Sequence, residues 1–285
     1  MKTSSILGVF LMCVSLNTII AQPCKLTIVR YPSGLTDDDP RSNYDRSILT
    51  LLLEKTVGKY GAFELVDSVR MQQVRAIASI KSGEIDVMPS TYNLERDRQL
   101  LAVKHDIHRS LMGIRLLLVK RSKLPLFSKI TAVEELKKLL AGQGADWPDV
   151  TVLRDNGFNV VTTQAYAGLF KMLTTERFDY FPRAITEIWD EVKLHSGDDL
   201  VVEPNLALVY YSPAFIFVNK KNTELAHRLD EGFKIALRDG SFNKLFMEKN
   251  SANFALSNLK NRRIFYLRNT TLPTAMQDKR PNINF

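Results

Sequence analysis

Cysteine is almost missing from this chain, with two in 285 residues, Cys13 and Cys24. Cys13 lies in an N-terminal stretch that reads as a removable leader, so one thiol remains and no internal disulfide can form. Neither cysteine sits in a lipid-attachment box, since Cys24 follows Gln22-Pro23 rather than a small pair. A membrane-spanning run is missing as well. The apolar segment Ile6 to Leu16 is too short to cross a bilayer comfortably. With Lys2 before it and the small Ala21 after it, it reads as a secretory signal over residues 1–21. There is no long basic run. The formal net charge of +8 is dispersed, which favours anionic ligands or surfaces over nucleic acid. No nucleophile elbow, metal cluster or phosphate loop is recognisable, so an enzyme, a metal and a cofactor are not expected.

What is there alternates strand with helix. Lys25 to Arg30 alternates in polarity and ends in the turn signal Tyr31-Pro32-Ser33-Gly34. Asp37, Asp38 and Asp39 lack the alternating spacing of a calcium loop and read as a solvated loop. Ile48, Leu51, Leu52 and Val57 predict a helix, and Phe63 to Val66 a strand. Met71, Val74, Ile77, Ala78 and Ile80 predict a second helix closed by Gly83, before a strand over Ile85 to Met88. Two strand-helix-strand units in succession predict an α/β fold with a parallel sheet. About 264 residues after the leader can form one large domain or two small ones.

A second alternating set follows. Gly113 to Val119 is a strand, and Val133, Leu136, Leu139 and Leu140 mark a helix. Gly142 to Pro148 reads as a loop entering a helix, with Asp146 as N-cap and Pro148 in the first turn. Strands are expected at Val160 to Thr162, Phe178 to Pro182, Leu206 to Tyr211 and Ala214 to Val218. A long amphipathic helix on Leu225, Leu229 and Phe233 stops at Asp239-Gly240. The tail from Ile264 to Phe285, with Pro273 and Pro281, is expected to run as an extended strap over the surface.

The run Gly83-Glu84-Ile85-Asp86, with Thr91, Glu95 and Arg96 after it, resembles the family-3 bacterial extracellular solute-binding proteins. The resemblance continues in order through Val133-Glu134-Glu135-Leu136, Phe178-Asp179-Tyr180 and Leu237-Arg238-Asp239-Gly240-Ser241-Phe242, over nearly the whole chain after the leader. It implies the two-lobed fold of type II periplasmic binding proteins, with two crossing hinge strands and a ligand in the cleft. The crossings are expected near residues 108–118 and 206–218. Lobe 1 is then 22–111 with 216–285, and lobe 2 is 112–215. The implied function is a periplasmic, monomeric receptor that captures a small polar or anionic ligand, an amino acid or carboxylate, for an inner-membrane ABC permease. The alternatives are a sensory module reporting to a membrane sensor protein, and a dehydratase-like enzyme with Glu187 or Glu95 as acid–base group.

The resemblance also carries site residues. Arg96 occupies the place of an arginine that holds the ligand carboxylate in amino-acid-binding members. A planar guanidinium grips a carboxylate with two parallel hydrogen bonds. Arg98 is its rival, and a surface ion pair with Glu95 or Asp97 is the plainer reading. Ser90 and Thr91 offer hydroxyl or amide donors to a ligand, or bond only their own turn. Tyr31 is an aromatic wall or a core residue. Gln143 and Gly144 precede a helix N-terminus suited to an anion. Trp147 stands where a dinucleotide loop needs its third glycine, and is a stacking wall or a core anchor. Arg183 stands where amino-acid binders commonly offer an acid to the ligand ammonium. It favours a second anionic group unless it pairs with Glu187. His105 and His108 lack a third metal ligand and read as solvated hinge residues.

Overall fold

The computed structural model describes residues 26–33 and 41–284. The expected leader, both cysteines and Asp37 to Asp39 lie outside the described residues. Strand β1 (Thr27–Pro32) leads into α1 (Arg41–Glu54), the single turn α2 (Val57–Tyr60) and β2 (Phe63–Ser68). Then come α3 (Gln73–Ser82), β3 (Val87–Thr91), α4 (Leu94–Gln99) and β4 (Leu101–Val103). Helix α3 buries Ala76, Ser79 and Ile80 and stops where Gly83 takes a left-handed conformation at φ 81°. That conformation costs glycine nothing.

β5 (Ile114–Lys120), α5 (Leu124–Phe127), α6 (Val133–Lys137) and β6 (Leu140–Gly144) open a second set. It continues with α7 (Pro148–Asp155), β7 (Asn159–Thr163), α8 (Tyr166–Thr174), β8 (Tyr180–Ala184), α9 (Ile188–Leu194), β9 (Leu200–Val202) and β10 (Leu206–Val209). The chain then returns through β11 (Ala214–Val218), α10 (Thr223–Arg238), α11 (Ser241–Ser257) and β12 (Arg263–Tyr266).

The strands form two groups. β1 pairs with β2 in parallel, and β3, β11 and β4 pair antiparallel in the order β3-β11-β4. The backbone of Arg30 in β1 bonds Asp86, just before β3, in both directions, which seats the pair beside the three. The larger sheet runs β12-β10-β5-β8-β6-β7, with β9 on β5. β5 is central, and every residue from Ile114 to Val119 is buried. A strand covered on both faces is apolar along its length, and here Arg115 is the one exception between Ile114 and Val119.

The chain passes between the groups three times, from β4 to β5, from β10 to β11, and from β11 through α10 and α11 to β12. The first two crossings lie side by side: Ile107 donates to the Ala214 carbonyl at 2.9 Å, and Tyr210 to the Gly113 carbonyl at 3.0 Å. A Cβ on Gly113 would collide with the Tyr210 carbonyl. Only glycine lets the two crossings approach this closely.

Three expectations change. Gly142-Gln143-Gly144 is not a loop but the buried end of β6. Its glycines read as turn signals, yet they are small because the ring of Phe178 covers Gly142 and the indole of Trp147 covers Gly144. Asp146 does not cap α7, which starts at Pro148 with Trp147 in the N-cap position. The tail is not a superficial strap. β12 pairs in parallel with β10, Leu272 is fully buried, and Asn269 donates to the Tyr211 carbonyl at 2.8 Å.

Candidate functional site

A cavity of about 190 Å³ opens between the two strand groups, beside the crossings. It is far larger than one water requires and has room for a small molecule. Its first wall is the carboxyl end of β3, with Ser90 and Thr91, backed by Met71 and Met88. Side chains at the carboxyl ends of strands are where α/β sheets present ligand contacts. Its second wall is ionic, built from Arg115 of β5, Asp149 of α7, Arg183 of β8 and Glu187 in the turn after β8. His108 and Met112 come from the first crossing, and Asp45 from α1.

The ionic wall is internally matched. Arg183 is 1% exposed and holds Glu191 through Nε, to Oε2 at 2.8 Å and Oε1 at 3.0 Å, and through Nη2, to Oε1 at 2.7 Å. Its Nη2 also reaches Glu187 at 2.9 Å, and Tyr166 donates its hydroxyl to Glu191 at 2.7 Å. The guanidinium lies over Trp147 and Phe181, 4.8 Å and 4.7 Å from the ring centres. Arg115 contacts Asp149 at 2.5 Å, Glu187 at 3.8 Å and the Tyr210 hydroxyl at 2.9 Å. Tyr210 in turn donates to Asp149. Burial alone would lower the pKa of each arginine, but the surrounding carboxylates overcome it and raise both. Two arginines therefore face three acids, Asp149, Glu187 and Glu191. This wall carries no surplus of positive charge.

Of the residues named from the sequence, Ser90, Thr91, Trp147 and Arg183 line this cavity. The other expected residues do not. Tyr31 is buried, with its hydroxyl accepting from Arg46 at 2.8 Å. Gln143 is fully buried and donates to the Pro182 carbonyl at 3.2 Å, while Gly144 packs under Trp147. Arg96 is 3% exposed and lies behind Thr91, lining a wider neighbouring groove. Asn93 caps its backbone at 2.7 Å, and its guanidinium donates to the Thr91 carbonyl and to Gln73 Oε1, the latter at 2.8 Å. Burial pushes its pKa down to about 10, against the opposing charge of Asp146. It stays charged at neutral pH. Arg98 is exposed and 3.8 Å from Glu95.

The histidines are not solvated hinge residues. His105 pairs with Asp230 at 2.8 Å and stacks on Phe233. His108 is buried and pairs with Asp45 at 2.9 Å. Sequence reasoning passed over Arg115, Asp149 and Asp45. Arg115 left a trace, because a lone charge inside an apolar strand must find a partner when buried. Asp149 and Asp45 left none. Among the described residues, no group of three or more His, Cys, Asp or Glu could hold a metal, and no helix is long and apolar enough to cross a membrane.

No protein-family model and no curated protein sequence matches the chain. Solved structures do. An ancestral arginine-binding protein bound to glutamine aligns with a TM-score of 0.60 at 19% identity, over 78% of this chain and 97% of its own. A Salmonella typhimurium periplasmic binding protein with high arginine specificity aligns at 0.59 and 12%, over 78% and 98%. A histidine kinase sensor domain with similarity to periplasmic binding proteins aligns at 0.59 and 17%, over 78% and 95%. With two strand groups, two adjacent crossings and a cavity between them, this chain has the two-lobed α/β fold of the periplasmic binding proteins.

Proposed function

We propose that the chain is a solute-binding receptor that closes its cleft around a small polar ligand, of amino-acid type, and presents it to an ABC-type permease in the inner membrane. The observation that supports this is the pairing of unlike walls across one cavity. β3 offers Ser90 and Thr91 hydroxyls, and the opposite lobe offers carboxylates and guanidinium groups together. That combination suits a zwitterion or an ammonium group better than the second anion that Arg183 suggested, because Glu187 and Glu191 already neutralise Arg183. The solved structures of similar fold that bind arginine and glutamine point the same way. Arg96 supports the Thr91 turn from behind in this reading. We assign residues 22–111 and 216–285 to lobe 1 and 112–215 to lobe 2, with β12 reaching across to pair with β10. The receptor works as a monomer in the periplasm after loss of residues 1–21. A sensory module is the second reading, favoured by the likeness to a histidine kinase sensor domain.

Thermal denaturation with arginine, lysine, glutamine, glutamate and succinate tests the proposal. A ligand at a hundred times its dissociation constant stabilises the native state by about 2.7 kcal/mol. At least one amino acid is expected to raise the melting temperature, and succinate to leave it unchanged. If no amino acid raises it, the proposal fails.

A further inference from the structure

Helix α3 begins without a cap of its own. Gln72 in the N-cap position makes no side-chain bond to the helix, and the first turn contains no acid. The acceptor comes from the other lobe: Asp146, in the turn after β6, takes the Gln73 N–H at 3.0 Å. Beside it, the Gln72 side chain donates to the Gln164 carbonyl at 2.7 Å, again across the cleft. Gln73 also accepts from Arg96 Nη2 at 2.8 Å, so Asp146, α3 and Arg96 form one cluster along the groove next to the cavity. Arg96 Nε is buried with no partner among the described residues. The positive end of a helix and a buried guanidinium together favour a carboxylate at this point. The carboxylate present is the chain's own.

We propose that Asp146 is an interlobe latch that takes the place expected for a ligand carboxylate near Arg96. The cleft then closes on an internal acid, and ligand choice falls to the neighbouring cavity with Arg115, Asp149 and Glu187. This second consequence rests on the receptor reading; the latch itself does not.

The test uses ligand-free protein, small-angle scattering and thermal melts. Asp146→Ala is expected to enlarge the radius of gyration and to lower the melting temperature by about 2–4 °C. Gln73→Pro approaches the same bond from the other lobe. Proline is tolerated at the first helical position, and Gln72 already has the extended ψ of 159° that precedes proline. It removes the N–H that Asp146 accepts, while Gln73→Ala controls for the lost side chain. Gln73→Pro should open the protein more than Gln73→Ala, and adding Asp146→Ala to it should open it no further. Sodium acetate at tens of millimolar, against chloride at equal ionic strength, should restore the compactness of Asp146→Ala and leave the parent unchanged. Wild-type compactness in Asp146→Ala overturns the latch, and so does Gln73→Pro matching Gln73→Ala. Acetate acting equally on parent and variant overturns the substitution for a ligand carboxylate. Should Asp146→Ala fail to fold, Gln73→Pro alone decides the latch. Failure here with amino-acid binding intact leaves the receptor reading in place.

Discussion

Arg183 shows how burial decides between two readings of one residue, an anion site or a partner for Glu187. From its position it was expected to attract an anion, and it does line the cavity. Its two acids follow it along the chain, Glu187 in the turn after β8 and Glu191 in α9, and of these only Glu187 was offered by the sequence as a partner. Burial of all three makes the pairing obligatory. Removing the arginine strands two carboxylates in the interior, a loss of about 3–5 kcal/mol. Urea denaturation of Arg183→Met is expected to show that loss, and Glu191→Gln a smaller one. A loss below about 1 kcal/mol would place the pair among ordinary surface bridges.

His108 supplies a second prediction at this scale. Burial pulls its imidazolium pKa down, but the hydrogen bond and charge of Asp45, with the charges of Asp106 and Glu187, outweigh burial and raise it. A histidine raised in this way stabilises the fold fully below about pH 6.5, and that contribution fades as pH rises through its folded value. Urea melts between about pH 6 and about pH 9 should show stability falling with pH in the parent. His108→Asn should show a shallower fall. Equal slopes would remove the histidine from the account.

Whole elements were more legible than single contacts. Helix α3 and its stop at Gly83, the apolar β5 and the long α10 all followed from periodicity and turn chemistry. β6 did not, because glycines that make room for Phe178 and Trp147 look the same in sequence as glycines that make a turn. Gly113 is the sharper case. It opens the crossing into β5, and its cost to replace is set by the Tyr210 carbonyl, far along the chain. Gly113→Ala is expected to destabilise by about 1–3 kcal/mol through overpacking. Its melts should fall accordingly, and amino-acid affinity should fall too, because the two crossings can no longer sit together. An unchanged melting temperature would show that the crossings have slack.

The tail acts on the whole molecule. Leu94 at the start of α4 donates to the Thr271 carbonyl at 3.0 Å, and Asn156 after α7 exchanges two bonds with Arg268, at 2.8 Å and 3.0 Å. With Asn269 on Tyr211 of the second crossing, the last segment touches both lobes and the hinge. Its anchor is Leu272, packed with Ile80, Met88 and Phe217. Leu272→Ala is expected to cost about 2–5 kcal/mol and to widen the ligand-free scattering profile by freeing the tie. Loss of stability without any change in scattering would make Leu272 a core residue and nothing more.

The sequence by itself determined the α/β class and the two alternating sets, since helix and strand periods, glycine stops and apolar runs are local properties of the chain. The approximate crossings came from the resemblance to the solute-binding proteins and not from those periods, and Ser90, Thr91, Trp147 and Arg183 came forward as site candidates. Tertiary structure alone decided which charges are spent on each other. It seated Arg183 on Glu191, Arg115 on Asp149, and Asp146 on the helix of the opposite lobe. Those pairings join residues that only burial and lobe geometry bring within bonding distance. In a low-dielectric interior a charge takes whatever partner the fold delivers, and no local pattern names that partner.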